Sequence, residues 1–488
     1  MNILLTGATG YVGGRLKERL LGRSDVRLRL LVRNARKLRG ALPSSAGVFE
    51  GDTFSPASLA PALEGVEIAY YLVHSMGGGG HFEKRDLESA VNFRDACIDA
   101  GVRRVIYLGG LGRKEDASPH LRSRIETGET LAARPDRLEL VWLRAGVIIG
   151  AGSSSFEVMR HLIEKLPVMI APRWVRTLTQ PIGVEDVLDY LVLAKDVSLA
   201  DATVVADIGS EAMSFREMIL RAARAMGLRR ILVPVPLLTP RLSSYWLALI
   251  TPVPYAVASA LIEGLKSETV VQNDNAAKFF PQVRPAPFEE TVRRAMESIA
   301  RGQIISRWCD SSGGESCDVD GREESLEGAV YRDVRRRSFR GLPADAVFRA
   351  VKSVGGKQGW FRFDWLWRIR GILDKLAGGY GTNRGRRDER ELAVGDKLDF
   401  WKVADLREGR RLLLEAQMRL PGRAWLELRL EGETLVQTAF FLPRGWLGRL
   451  YWYAIWPLHS LVFSDLIRGV VRLAQSRFED AGGLSAES

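Results

Sequence analysis

Thr6-Gly7-Ala8-Thr9-Gly10-Tyr11-Val12-Gly13-Gly14 follows the apolar run Ile3-Leu4-Leu5 and precedes a stretch carrying Leu16, Leu20 and Leu21. A Gly-x-x-Gly-x-x-Gly loop between a short buried strand and a helix narrows the fold sharply, because each glycine has its own task. One permits the tight turn, one lets the backbone approach a pyrophosphate, and one lets helix and strand pack closely. The phosphates then sit on unpaired N–H groups at the helix N-terminus. A second apolar run, Val26 to Val32, stands where a βαβ unit requires its next strand. Gly7, Ala8, Thr9, Gly10, Tyr11, Val12 and Gly13 are therefore the candidate dinucleotide cradle. An ordinary turn is the competing reading of the same glycines.

The end of the second strand bears on which dinucleotide. An acidic residue about 20 positions beyond the glycines binds the ribose 2′-hydroxyl of NAD, whereas an arginine accommodates the 2′-phosphate of NADP. Here the strand ends in Arg33-Asn34, with Arg36 and Lys37 close behind and no carboxylate at that end of the sequence run. The expectation is NADP(H) in preference to NAD(H). If these cations only solvate a helix start, the preference stays open.

Up to about Gly150 the chain alternates apolar runs with amphipathic segments. Val48–Asp52, Ala69–Val73, Val105–Leu108 and Leu140–Leu143 read as the third to sixth strands. Such alternation predicts an α/β, Rossmann-type doubly wound parallel sheet with ligand at the strands' carboxyl ends. At those ends stand Asp52-Thr53, Val73-His74, Gly109-Gly110 and Ala145-Gly146-Val147. Asp52 is placed to accept from an adenine amino group, with a plain loop role as the alternative. Thr53, Val73, His74 and Gly109 complete the candidate cofactor wall.

By its glycine loop, Gly51-Asp52, Val105-Ile106-Tyr107-Leu108, Leu143 to Gly150 and Gln180-Pro181-Ile182-Gly183-Val184-Glu185-Asp186-Val187, the first 300 or so residues resemble the short-chain dehydrogenase/reductase family. Within it the chain looks like an atypical extended member, similar to the NmrA-like branch and to the NADPH-binding accessory subunit of respiratory complex I. The resemblance implies a serine just after the fifth strand and a Tyr-x-x-x-Lys on the next helix. Here the serine position falls on Gly109 or Gly110, and the Tyr-x-x-x-Lys position is best matched by His120-Leu121-Arg122-Ser123-Arg124. His120 can exchange a proton near neutral pH, and Arg124 can hold ribose or phosphate oxygens. Arginine cannot lose its proton and glycine offers no hydroxyl, so His74 is a further candidate donor.

At 488 residues the chain exceeds the size at which one core stops growing. Ser311 to Ser316 and the acidic run Asp318 to Glu327 predict a polar linker. The expected domains are residues 1–305, with a substrate region after Ala151, then linker 306–328, then 329–480. In the last of these, Ala329–Arg340 reads as a strand and Ala344–Val354 as a helix. Leu398–Ala404, Arg411–Arg419, Ala424–Leu430 and Thr434–Leu442 follow as strands, and Gly445–Arg477 as a long helix. With Trp360 to Trp367 and Gly378-Gly379-Tyr380-Gly381, this order resembles the α+β helix-grip fold of START-like domains, which implies a cavity for an apolar ligand.

The Pro-rich run Ile231 to Pro236 and the apolar stretch Tyr245 to Leu265 point to a greasy substrate pocket, or else to a helical cap. The expected partner is a hydrophobic small molecule. Net charge is +11, with arginines clustered at 332–340 and 384–390, yet no nucleic-acid motif accompanies them. Solvated surface or peripheral contact with anionic lipid are the readings left. Tyr245–Ile262 and Trp446–Phe463 read as core or interfacial helices in preference to spans. Cys97, Cys309 and Cys317 have no metal-ligand spacing, and the chain opens on its first strand. Both features favour a reducing, cytoplasmic location, with membrane association compatible with it.

Overall fold

The computed structural model describes residues 1–38, 42–73, 82–171, 173–199, 201–234, 259, 263–301, 306, 329–376, 392–418 and 420–483. The candidate His74 lies outside the described residues, as do nearly all of 235–262 and of the linker, Gly378–Gly381 and the 384–390 arginines. The chain divides into two compact units, Met1–Ser316 and Cys317–Ser488.

The first unit is built on β1 (Asn2–Thr6), β2 (Arg27–Val32), β3 (Gly47–Glu50), β4 (Ile68–Tyr71), β5 (Arg104–Gly110) and β6 (Glu139–Ala145). Short strands β7 (Ile148–Ile149), β8 (Val168–Ala171), β9 (Leu178–Thr179) and β10 (Ile182–Gly183) precede β11 (Thr203–Ile208), and β12 (Met213–Ser214) and β13 (Ile231–Pro234) follow it. One sheet runs β11-β6-β5-β4-β1-β2-β3, parallel throughout. The order reverses between β1 and β4, which opens the ligand crevice at their carboxyl ends.

These strands are apolar on both faces because helices cover both. Ile3 and Leu5 pack with Leu16 and Leu20 of α1 (Tyr11–Leu21), whereas Leu4, Ala69 and Tyr71 pack with Leu59 of α2 (Pro56–Leu63) and Phe93 of α3 (Phe82–Asp99). Each such leucine or phenylalanine contributes about 1.5–3 kcal/mol when fully buried. Thr6 Oγ1 donates to Tyr70 O at 2.8 Å and accepts from Leu72 N at 3.1 Å, tying β1 to β4 across the crevice. After α4 (Pro119–Leu131), α5 (Ser154–Lys165), α6 (Val184–Leu193), α7 (Phe215–Ala225), α8 (Asn275–Phe279) and α9 (Phe288–Ala300) complete the unit. Ser214 caps α7, accepting from Glu217 N at 3.2 Å.

The carboxyl ends of β3 to β6 differ from expectation, β4 stopping at Tyr71 and β6 running on to Ala145. β3 stops at Glu50, because Asp52 turns the chain by accepting from Phe54 N at 3.1 Å. β5 runs on through Gly110, both glycines pairing with β6.

The second unit is a six-stranded antiparallel sheet in the order β14-β19-β18-β17-β16-β15. Its strands are β14 (Tyr331–Ser338), β15 (Lys397–Leu398), β16 (Trp401–Arg407), β17 (Arg411–Ala416), β18 (Gly422–Glu431) and β19 (Thr434–Pro443). Helices α10 (Ala344–Lys352), α11 (Asp364–Leu376) and α12 (Gly445–Gly483) pack with it. The strand expected at Leu398–Ala404 is broken at Asp399, whose φ of 53° is left-handed. Its carboxylate accepts from Trp360 Nε1 at 2.8 Å and Gly356 N at 3.3 Å, which holds a conformation that aspartate tolerates better than most residues. The alternation in Leu426-Glu427-Leu428 does not mark a solvated face: Glu427 is buried, with Arg411 Nε 2.7 Å from Oε1.

Candidate functional site

The glycine loop is built as its spacing demands. Gly7 has φ +72°, and a Cβ there would lie 2.5 Å from Leu72 O. A Cβ on Gly13 would lie 2.1 Å from Gly7 O, so α1 can approach the loop only with glycine at that position. Gly10 N donates to Gly7 O at 2.8 Å and closes the turn. Gly10 is also the N-cap of α1, and no side chain satisfies that helix end. By contrast, Ser118, Ser153 and Ser214 cap α4, α5 and α7. The first amides of α1 thus face the crevice between β1 and β4 with the positive end of the helix dipole, an arrangement that suits a pyrophosphate.

Ala8, Thr9 and Val12 fill out this loop, with Ala8 buried. Tyr11 is half-buried. Its ring lies under the Arg15 guanidinium at 5.0 Å, and its hydroxyl is buried against Gly150, where a Cβ would come within 2.5 Å. Burial pushes that phenol well above its ordinary pKa, so it stays protonated. Arg15 donates to Ala151 O at 2.8 Å, so the pair pins α1 to the segment after β7.

The other cofactor candidates divide. Arg33 is exposed just beyond β2. Beside it, however, β3 places Glu50 in register with Val32, and Glu50 Oε1 accepts from Ala35 N at 2.7 Å. The expectation of no carboxylate at this end is therefore corrected: the acid comes from the neighbouring strand. Asp52 is half-buried, with one carboxylate oxygen committed to its turn. Thr53 is buried, and its hydroxyl accepts from Ser89 Oγ at 2.6 Å in a chain that reaches Tyr71. That side chain braces the loop against α3, and Asn92 Nδ2 of the same helix donates to Thr53 O at 3.1 Å. Val73 is half-buried beyond β4, one residue after the Leu72 carbonyl that faces Gly7.

At the first of the two expected serine positions, Gly109 has no room for a side chain. A Cβ there would lie 2.3 Å from Trp142 Nε1, and a Cβ on Gly128 of α4 would lie 2.3 Å from the same indole. Both glycines exist to seat Trp142 between β5 and α4. A Cβ on Gly110 would meet Leu121 Cδ1 at 2.5 Å, with Arg124 only 3.6 Å away, so Gly110 is the position that faces the α4 pair. His120 is half-buried in the first turn of α4, and Arg124 follows one turn later on the same face. Arg124 Nη2 donates to Leu108 O at 2.6 Å and its carbonyl accepts from Tyr107 Oη at 2.9 Å, which fixes it to β5. Tyr107 is buried, and burial pushes its pKa up to about 12. It therefore holds its proton and does not replace the missing tyrosine.

A cleft of about 430 Å³ is lined by Arg113, Asp116, Glu268, Val270, Val271 and Gln272. It adjoins the carboxyl ends of β5 and β6, where Glu268 O approaches Gly112 and Thr269 approaches Gly146. The apolar stretch at 245–265, expected to line a greasy pocket, lies mostly outside the described residues; the described wall of this cleft is half charged. Gln180 anchors it: Oε1 accepts from Val271 N at 2.7 Å and Nε2 donates to Ser210 O at 2.9 Å. Asp207 accepts from Gln272 N at 2.9 Å while paired with Arg144 Nε and Nη2. Among the described residues no group of histidine, cysteine and carboxylate side chains could hold a metal ion.

A family model described as NAD(P)H-binding matches residues 7–139. These residues form an NAD(P)H-binding domain. A second model, described as a protein of unknown function (DUF2867), matches residues 325–466. No curated protein sequence matches the chain. Similar solved structures include a Citrobacter sp. triphenylmethane reductase complexed with NADP(H), 20% identical, covering 60% of this chain and 100% of its own, with TM-score 0.48. A nucleoside-diphosphate-sugar epimerase from Staphylococcus aureus is 14% identical over 60% of this chain and 100% of its own, with TM-score 0.49. A UDP-glucose 4-epimerase from Thermotoga maritima is 15% identical over 62% and 100%, with TM-score 0.48.

Sequence reasoning missed Glu50, Trp142 and Gln180. Gln180 carried a signal, since it opens the Gln180 to Val187 signature. Glu50 and Trp142 act across strands, where order along the chain gives no warning.

Proposed function

We propose that the chain binds NADP(H) at the β1/β4 crevice and acts on, or senses redox through, a hydrophobic small molecule such as a quinone, isoprenoid or lipid. The observation that carries this reading is the cradle of Gly7 and Gly13 below the uncapped end of α1. The bound nicotinamide supplies a hydride. Arg33, exposed at the end of β2, supports the preference for the 2′-phosphate, and Glu50, engaged by Ala35 N, opposes it only in part. Arg124 orients groups at the end of β5, and His120, on the same face of α4, is the proton donor available there. The antiparallel sheet with its long α12 supports a START-like helix-grip reading of the second unit, with an apolar ligand as its cargo. The lone described cysteine, Cys97, is buried and unpaired, which supports a reducing, cytoplasmic setting.

A second reading is a non-catalytic NADPH-binding sensor or scaffold for a membrane-associated partner. Crowding at both candidate serine positions favours it: a Cβ on Gly109 would lie 2.3 Å from Trp142 Nε1 and one on Gly110 2.5 Å from Leu121 Cδ1, which leaves no place for the hydroxyl that polarises a carbonyl. Titration calorimetry with NADPH and NADH, followed by turnover assays on a quinone panel with wild type and His120→Ala, separates the readings. Turnover lost in the variant supports the enzyme. Tight NADPH binding without turnover supports the sensor, and no dinucleotide binding by folded protein sinks both.

A further inference from the structure

The long helix α12 changes character midway. Its later half buries Val462, Phe463, Leu466, Ile467 and Val470 in the core of the second unit. Its earlier half does the reverse. Trp446 is 72% and Tyr453 66% exposed, and Leu447, Leu450, Leu458 and Leu461 are exposed with them. Helical spacing gathers these residues into one outward stripe. Helix α11 shows the same inversion, turning Trp365, Ile369, Ile372 and Leu373 outward while Trp367 enters the core. The Arg370 guanidinium stands 5.4 Å over the Tyr451 ring and brings the two helices together.

Charge on this face has one sign. From Arg444 to Ser464 the charged side chains are Arg444 and Arg449, both exposed. The next carboxylate, Asp465, accepts from Arg362 N at 2.9 Å. On α11, Asp364 is paired with Arg368 at 2.7 Å and Asp374 is buried. An apolar stripe with tryptophan and tyrosine, edged by arginines and lacking a compensating acid, matches the boundary between headgroups and acyl chains of an anionic bilayer. A second copy of itself matches it less well, since both surfaces would bring only positive charge to the contact with no carboxylate to offset it.

We infer that the first half of α12 and the outer face of α11 form a surface that docks in the plane of an anionic lipid membrane. By length and apolar content Gly445–Asp480 reaches what a span requires. The helix is nevertheless fixed to its own unit along one side: Trp452 stacks between Tyr331 at 5.2 Å and Phe441 at 5.6 Å. An in-plane helix satisfies both facts. This inference is independent of the dinucleotide reading.

The test is flotation of the full chain with vesicles of phosphatidylcholine alone and of phosphatidylcholine mixed with phosphatidylglycerol, with tryptophan emission recorded. The mixed vesicles are expected to carry the protein and shift its emission to the blue. Trp446→Ser/Leu450→Ser/Tyr453→Ser, all exposed positions, should remain folded by circular dichroism and lose both signals. Arg444→Gln and Arg449→Gln should each weaken binding about five-fold at low salt. No binding by wild type, equal binding to neutral vesicles, or undiminished binding by the triple variant would each overturn the proposal. So would self-association without lipid that the triple variant abolishes.

Discussion

Gly109 shows how a substitution relative to a family pattern acquires its meaning from what occupies the space. The family resemblance makes it or Gly110 a lost serine, but at Gly109 the indole of Trp142 fills the space. Gly109→Ser should therefore restore no carbonyl-reducing activity. It should cost about 1–3 kcal/mol through overpacking against a rigid indole, measured by urea unfolding; an unchanged midpoint would show that Trp142 moves aside freely. Arg33 carries the opposite kind of residue-scale prediction, because it is exposed and free to meet a ligand. Arg33→Asp should weaken NADPH by about 1.5–3 kcal/mol, the worth of a charge-assisted contact, and invert the preference over NADH. Equal losses for the two nucleotides in calorimetry would remove Arg33 from the 2′-phosphate site. The glycines were legible in advance because a left-handed turn and a close helix approach admit almost nothing else. Glu50 was not, because it reaches the end of β2 from a strand that follows after a loop.

At the scale of elements, α1 is a helix whose uncapped start is useful only if the loop before it stays thin. Gly13→Val would drive a branched side chain into Gly7 O and lift α1 off β1. Nucleotide binding should disappear while far-ultraviolet dichroism stays near wild type, and retained binding would mean that the loop is merely a turn. The parallel sheet was legible from its apolar runs, since strands covered on both faces need no alternation. α11 was not read as a helix, and the reason is physical. Its polar residues do not mark the solvent side: Trp365, Ile369, Ile372 and Leu373 face outward while Asp374 is buried, so the pattern misreports which face is packed. The same inversion hid the division of labour within α12. The 3-10 turn before α11 was equally unreadable: Phe361, at φ 62°, is accommodated only because a Cβ on Gly469 of α12 would lie 2.4 Å from its ring, a match between residues far apart in the chain.

For the molecule as a whole, two units with separate cores imply that each has its own response to conditions, and His459 gives the second unit a pH dependence. Its ring stands edge-on to Trp452 at 5.5 Å and to Phe463 at 4.8 Å, and Nδ1 is buried without a hydrogen-bond partner. Burial pushes its pKa down to about 4; Arg370 and Arg335 push the same way and Asp333 opposes them. The unfolded chain, titrating near 6.5, then binds a proton that the folded unit refuses. The stability contributed by the neutral ring is complete above about pH 6.5, falls as pH drops from there toward 4, and changes no further below. Over the whole window this amounts to about 3 kcal/mol, of which about 2 kcal/mol is lost between pH 7.5 and pH 5. His459→Phe preserves the aromatic packing and removes the titration. Urea unfolding of the full chain at these two pH values, followed through the second unit's buried tryptophans, should show wild type losing that much more than the variant. Comparing the two proteins cancels every other titrating group, so parallel losses would show that the ring protonates in place and that α12 yields to admit water.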